Sequence, residues 1–502
     1  MIRKLLKRWA LAMATVTSVA LLPHGAAAAE ARTVLEEILN MMRQSAQITE
    51  EQRKALLERA EREAREAKAE REQVEADRVA ALTAGVENAR PFLRSADGNF
   101  KIELGGRLHV DYDAAEGKAR TLTGATLNDE FLVRRARIEL TATFFKWILL
   151  QLEDELAQTP GSVASTLKGA YLDFRFRPEI ALRAGQFKVP YSLDQLSSAN
   201  FIDFVERSVV DELAPGYDFG AALHGSLVGG VASYMFGVFN GNGQNNSDNN
   251  SGKDIAGRVV VAPFKPGGDY WLTGLQLGGD FTWGDQDTGT SARGRTTART
   301  ANRFTYFGAQ STRGDRTRWG TDLAWAVGPA AVKFEYDRQM NQRTRLGSNG
   351  QSLDDVTATG WYVTGTWLLT GEERPLNRSV IPKRPFFPVA GQFGPGAWEL
   401  ALRYAELKFS SDDPVDFFDG NINNGITGGG TTAENGVEAL TAGVNWYLNS
   451  RVRYMLNWTQ YWYDNPLGTP FSCEQVSCTA TQLRRRGDAT SWELLSRIQL
   501  WF

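Results

Sequence analysis

The strongest constraint on this chain is a two-residue hydrophobic period that returns in sixteen segments beyond residue 90. Over 99–113, Phe100, Ile102, Leu104, Leu108, Val110 and Tyr112 alternate with Lys101, Glu103, Arg107, His109 and Asp111. Such alternation marks strands with one apolar and one wet face. The pattern predicts strands over 99–113, 131–144, 146–157, 166–177, 179–188, 217–228, 230–240, 254–264, 270–284, 316–327, 330–340, 357–370, 396–409, 435–448, 451–464 and 490–502. Tight links such as Phe145, Arg177-Pro178 and Gly328-Pro329 take turns with long polar loops at 114–130, 157–166, 189–216, 241–253, 285–315, 341–356, 410–434 and 465–489. One link on the short side, 371–395, is long and rich in Pro and basic residues. An even strand number, short turns on one rim and long loops on the other are the layout of an outer-membrane barrel.

A string of secreted β-sandwiches would also alternate. Sandwich strands, however, average about five or six residues, and these are far longer. Aromatic residues gather near strand ends, as in Trp361-Tyr362, Trp446-Tyr447 and Tyr461-Trp462-Tyr463, where interfacial girdles belong. The chain stops inside a strand, with Trp492, Leu494, Ile498, Leu500 and Phe502 on one face and Glu493, Arg497 and Gln499 on the other. A terminal Phe502 resembles the signal read by outer-membrane assembly machinery. The expected fold is an all-β, 16-stranded antiparallel transmembrane β-barrel.

At the other end, Arg3, Lys4, Lys7 and Arg8 precede an apolar run from Trp9 to Leu22 and the Ala26-Ala27-Ala28-Ala29 stretch. That is the layout of a secretory signal peptide over 1–29, too short to anchor as a helix, which needs ~20 apolar residues. From 34 to 88 the chain turns to Glu, Arg, Ala and Leu, with pairs such as Glu58–Arg62 and Lys68–Glu72 at helical spacing. A long N-terminal α-helix in the periplasm is expected. Its apolar seam through Leu35, Ile38, Met42, Leu57, Ala60, Ala64, Ala67 and Val74 is broken by Ser45, Arg71 and Arg78. The segment therefore reads equally as a coiled coil or as a solvated spacer. The expected organisation is signal peptide 1–29, helix 34–88 and barrel 95–502.

Composition removes several functions. With 56 basic and 59 acidic residues and a net charge of −3, the chain lacks the basic excess of a nucleic-acid binder. Two cysteines and three histidines leave no disulfide framework and no multi-ligand metal centre. No cofactor, no metal and no catalytic constellation are expected, so the chain is not read as an enzyme. Cys473 and Cys478, in the last long loop, are expected to form a local disulfide. The mean hydropathy of −0.34 averages an apolar exterior with a polar lumen and wet loops.

Sixteen strands enclose a water-filled lumen, so function rests on the charges lining it and on the loop that narrows it. Loop 189–216, with Phe201-Ile202-Asp203-Phe204-Val205, is expected to fold inward. By alternation Arg135 and Arg137 face the lumen, as do Arg107, Arg175 and Arg183, whereas Arg134 is expected at the rim or reoriented. The fifth loop adds Arg293, Arg295, Arg299 and Arg303. Guanidinium forks match phosphate and carboxylate oxygens. Against them stand Asp194, Asp203, Glu206, Asp211 and Glu212 of loop 189–216, with Glu153 and Asp173 on the wall. Charge alone leaves two readings: an anion filter, or a transverse field with little ionic choice.

Gly105-Gly106-Arg107, Arg134-Arg135-Ala136-Arg137, Gly185-Gln186-Phe187-Lys188-Val189-Pro190, Val205-Glu206-Arg207 and Gly237-Val238-Phe239-Asn240-Gly241-Asn242-Gly243 form an ordered set of blocks. With Gly360-Trp361-Tyr362, Thr370-Gly371-Glu372, Gly396-Ala397-Trp398-Glu399-Leu400-Ala401 and Gly443-Val444-Asn445-Trp446-Tyr447-Leu448-Asn449, this set resembles the phosphate-selective porin O and P family over 95–502. The resemblance implies trimeric sixteen-stranded barrels that take up anions along an arginine ladder on the inner wall and the inward fifth loop. It makes Arg135 and Arg137 constriction residues, with Arg134 in the same block. Lys188 becomes the basic residue at the base of the inward loop, and Arg293, Arg295, Arg299 and Arg303 become ladder positions. Asp194, just beyond the Lys188 block, and the long helix depart from the type members.

The expected function is an outer-membrane diffusion porin passing small, phosphate- or polyphosphate-like anions through an Arg-lined lumen. The competing reading is a structural protein that tethers the envelope through its helix, with weak unselective conductance. Expected partners are outer-membrane lipid and lipopolysaccharide, two further copies in a homotrimer, the assembly machinery and small anions, with no nucleic acid.

Overall fold

A computed structural model describes residues 40, 43, 49–80, 82–115, 129–157, 166–265, 267, 270–298, 305–307, 309–346, 350–411, 434–464 and 490–502. The expected signal peptide, Arg299, Arg303, Cys473 and Cys478 lie outside them. Two units are present, Met1–Leu82 and Thr83–Phe502.

In the first unit, helix α1 spans Glu50–Ala80. Thr49 Oγ1 accepts from the Gln52 N–H at 3.2 Å and Gln52 Oε1 accepts from the Thr49 N–H at 2.9 Å, a reciprocal cap on two otherwise orphan donors. Exposed pairs such as Arg59–Glu63 at 2.8 Å and Lys68–Glu72 at 3.7 Å lie along it, and no continuous apolar stripe does. The helix expected to reach residue 88 stops earlier. Leu82–Glu87 and Arg90–Ser95 are strands paired through an Asn88-Ala89 turn, both residues at positive φ. Gly85 weakens a helix by about 1 kcal/mol relative to Ala, and Pro91 removes a backbone donor.

The second unit, from Thr83, holds a closed ring of sixteen long strands, with Arg90–Ser95 paired to the start of the first of them (Phe92↔Glu103). They are β1 (Phe100–Ala115), β2 (Glu130–Phe144), β3 (Ile148–Glu155), β4 (Thr166–Arg177), β5 (Ile180–Lys188), β6 (Tyr217–Leu227), β7 (Ala232–Phe239) and β8 (Asp254–Val261). Then follow β9 (Leu275–Thr290), β10 (Ser311–Val327), β11 (Ala330–Arg343), β12 (Leu353–Leu368), β13 (Ala397–Ser410), β14 (Glu434–Tyr447), β15 (Val452–Tyr463) and β16 (Thr490–Trp501). Each pairs antiparallel with the next, and β16 closes on β1 from Glu493↔Ala115 to Trp501↔Arg107. Closure leaves no free edge, as a spanning sheet requires.

Every expected strand is present. β9 and β10 run further than the apolar pattern on their long-loop side, to Gly289↔Thr312 and Thr290↔Ser311. Both faces are polar there, so no alternation marks the ladder. β13 shows the two-faced wall: Trp398, Leu400 and Leu402 are exposed outward while Glu399 and Arg403 are buried inward. On the short-turn rim the outward Trp398 and Trp446 rings stack at 5.3 Å. At the β2–β3 turn Phe145 and Lys146 both take positive φ, the mirror-image turn that suits strand twist.

Candidate functional site

The lumen is crossed by loop 189–216, which is tied to most of the inner wall. At its start, Asp280 on β9 accepts from the Ser192 N–H at 3.2 Å, and Glu335 on β11 accepts from the Leu193 and Asp194 N–H groups at 2.8 and 3.0 Å. Further along, Arg453 (β15) and Gln499 (β16) donate to the Asn200 carbonyl at 3.2 and 3.0 Å. Asn445 (β14) donates to the Asp203 carbonyl at 2.8 Å. Asp203 is buried between Lys333, at 2.8 Å, and Arg374. Burial alone would raise its pKa, but these two cations outweigh it and hold the carboxyl below its ordinary range.

Arg374 explains the long link between β12 and β13. That segment turns into the lumen, where the guanidinium meets both Asp203 and, at 3.0 Å, Glu399. Glu206 closes the loop on the opposite side. It accepts from Arg134 at 2.8 Å, Arg135 at 3.4 Å and Arg497 at 2.8 Å, and Arg497 also pairs with Asp111 at 2.6 Å. Three guanidiniums share the two carboxylates Glu206 and Asp111, so losing either acid would leave buried charge unpaired at high cost.

The fifth loop folds inward beside it. The Thr297 N–H donates to the Tyr461 hydroxyl at 3.0 Å and the Ala298 N–H to Glu493 at 3.3 Å. Tyr306 and Phe307 pack with Val209, Val210, Phe409 and Tyr463 in an apolar cluster. Among the described residues, both loops thereby pack against the β12–β16 side of the lumen.

The β2–β8 side holds a cavity of about 1120 Å³. Nine basic side chains and four carboxylates line it, a formal excess of five positive charges. Two β-bulges supply that wall. On β2 the register passes from Arg135 to Val133 opposite consecutive residues of β1, so Arg134 is the extra residue. On β4 the same step, from Gly169 to Leu167, makes Lys168 the extra residue. A bulge re-aims side chains and increases the local twist. Arg134, which alternation leaves at the rim or reoriented, therefore turns inward beside Arg135 and lines the cavity.

The neighbouring strand is built to receive the second bulge. Gly185 sits at φ +132, and a Cβ there would stand 2.2 Å from the Ala170 carbonyl oxygen. Buried Gln186 donates to the Leu167 and Lys168 carbonyls at 3.0 and 3.1 Å, satisfying groups the ladder leaves free.

Among the residues singled out from the sequence, Arg107, Arg134, Arg135, Arg137 and Lys188 all line this cavity. Arg107 pairs with Glu139 and, at 3.3 Å, Glu153; Arg137 pairs with Glu153 and Glu155, both at 2.6 Å. Lys188 donates to the loop carbonyls of Gln195 and, at 3.4 Å, Ser197. Arg175 is half-exposed near the short-turn rim, 3.1 Å from Asp173, and does not join the lining. Arg293 is exposed and Arg295 pairs with Glu212 at 3.0 Å; neither lines the cavity.

Arg183, expected on the lumen face, joins the wall, and the structure adds Lys168, Arg207 and Arg258. Arg183 pairs with Asp173 at 3.1 Å, Arg207 with Asp211 at 3.7 Å, and Arg258 with Asp280 and, at 2.6 Å, Asp322. Arg183 and Arg258 are legible from alternation. Lys168 is not, because its bulge reverses the direction that alternation assigns.

Residues 102–465 match the phosphate-selective porin O and P family. Porin O of Pseudomonas aeruginosa is 26% identical over 408 residues, covering 75% of this chain and 85% of the relative. Among solved structures, a loop-deletion mutant of OmpT, an outer-membrane protein of Vibrio cholerae, aligns with a TM-score of 0.48 at 10% identity over 80% of this chain and 100% of its own. The outer-membrane channel DcaP of Acinetobacter baumannii aligns with a TM-score of 0.47 at 10% identity over 84% and 100%. Sixteen closed strands and a family match over most of their length place the chain in the phosphate-selective porin O and P family, as a bacterial outer-membrane β-barrel porin and a channel rather than an enzyme.

Proposed function

We propose that this porin is anion-preferring, and that ions pass through the β2–β8 side of the lumen. The observation that carries this reading is the excess of five positive charges around the cavity between loop 189–216 and that wall. Cationic walls concentrate anions and repel cations, and a series of weak sites lets an anion leave as readily as it enters. Arg107, Arg134, Arg135, Arg137 and Lys188 are the filter residues in this reading. Arg293 and Arg295 serve the approach from the long-loop side, with Arg299 and Arg303 assigned there by sequence. Phosphate and polyphosphate-like anions are the substrates the family resemblance favours. The test is the zero-current potential of the full chain in a planar bilayer under a KCl gradient; a potential on the potassium side contradicts it.

The assembly is proposed as a homotrimer in outer-membrane lipid and lipopolysaccharide, inserted by machinery that reads Phe502. The disulfide Cys473–Cys478 is proposed for the last long loop. The second reading, envelope tethering, is favoured for α1 by its exposed, charged surface, which suits a solvated spacer in the periplasm. Deleting residues 34–80 should then leave conductance unchanged while envelope attachment fails; unchanged attachment removes tethering.

A further inference from the structure

Every guanidinium on the cavity already holds at least one carboxylate, as described above. Lys168 and Lys188 do not: among the described residues, neither makes an ion pair. The Lys168 ammonium donates to Gln244 Oε1 at 3.0 Å, and Lys188 rests on loop carbonyls. Both stand near one ring, 6.0 and 5.9 Å from the centroid of Tyr217. Tyr171, with Arg183 stacked 4.4 Å above it, continues the aromatic wall, and Phe187 and Met235 are further apolar lining.

We propose that this site selects organic monocarboxylates with an aromatic or apolar body over inorganic phosphate. Phosphate is a compact, strongly hydrated oxyanion, and to shed its water it needs several convergent forked donors. Here those forks are occupied, and Glu153, 3.5 Å from the Tyr217 hydroxyl, repels a second negative charge. A carboxylate carries one charge, which two point-like ammonium groups can meet, while its body lies against Tyr217, Tyr171 and Phe187. Burying that body against rings is favourable in itself. This inference rests on the anion preference proposed above and departs from its phosphate-like substrates, naming a different class of anion for the same wall.

The experiment is block of chloride current through the purified full-length porin by benzoate, acetate and inorganic phosphate at neutral pH. Benzoate is expected to reach half-block at a concentration about fivefold below phosphate, the ratio that roughly 1 kcal/mol supplies, with acetate no better than phosphate. Lys168→Gln should abolish the benzoate advantage by weakening benzoate block more than phosphate block; its amine meets only Gln244 and the Tyr217 ring, so the loop stays anchored. Phosphate blocking at or below the benzoate concentration overturns the proposal. So does acetate equal to benzoate, no block by any of the three, or a benzoate advantage that survives Lys168→Gln. A cation-selective channel instead defeats the anion reading on which the proposal stands, and the zero-current potential separates that failure from the others.

Discussion

The two sides of the lumen start from the same inner-face chemistry and end in opposite states. On the β12–β16 side, inward charges such as Arg453, Arg497 and Glu493 are fully buried because loop 189–216 and the fifth loop bring them partners. On the β2–β8 side the wall supplies most of its own pairs, and Lys168 and Lys188 stay partly exposed beside open volume. Inward charge therefore does not by itself make a conduction path. What separates a pore wall from a packed interior is whether a loop arrives to match the charges.

The largest effect expected follows from breaking the loop-packed side. Asp203→Ala leaves Lys333 and Arg374 buried without their shared acid, which costs about 3–5 kcal/mol. The loop should leave the wall, conductance should rise, and the thermal unfolding midpoint should fall. If conductance is unchanged, the two sides do not differ in the way described. A milder version uses acid. Asp203 is held below its ordinary range, so its contribution to docking is complete above the unfolded value of about 4 and is lost only as pH falls through the lowered one. Conductance should thus be steady between neutral pH and about pH 4 and should rise below it.

On the open side, Glu206→Gln removes the negative charge facing Arg134, Arg135 and Arg497. Anion-to-cation permeability should increase roughly fivefold, the equivalent of about 1 kcal/mol for one charge at 4 Å in water. Replacing Arg134 and Arg135 together with Ala should shift the zero-current potential the other way. The smallest effect belongs to Arg295→Ala. Its pair with Glu212 is partly exposed, and a stability loss under about 1 kcal/mol in urea unfolding is expected.

Much of this was legible in the sequence. Period two located all sixteen strands, and the run of short and long links identified the rims. Alternation places Arg107, Arg135, Arg137 and Arg183 on the lumen face, and the family resemblance adds Lys188. Alternation leaves Arg134 between rim and lumen and misses Lys168, because a single extra residue in a strand reverses facing and nothing in the apolar pattern marks it. Gln186 is the trace such a bulge leaves, a buried amide among apolar neighbours, but it is readable only after the bulge is known. The pairing of Glu206 with three arginines and of Arg374 with Asp203 joins residues far apart in the chain, so spacing carries no signal of it. The strand at Leu82–Glu87 was hidden by the charged helical composition before it.

The central claim is that ions use the β2–β8 side. In a Cys473→Ser, Cys478→Ser background, Lys168→Cys places a thiol on the open cavity, and Thr441→Cys places one under the loop, where Thr441 is buried against Thr459. Addition of a sulfonate-bearing methanethiosulfonate during single-channel recording tests both directly. Current should fall for the residue 168 variant and stay constant for the residue 441 variant. Loss of current through position 441, or none through position 168, contradicts the account.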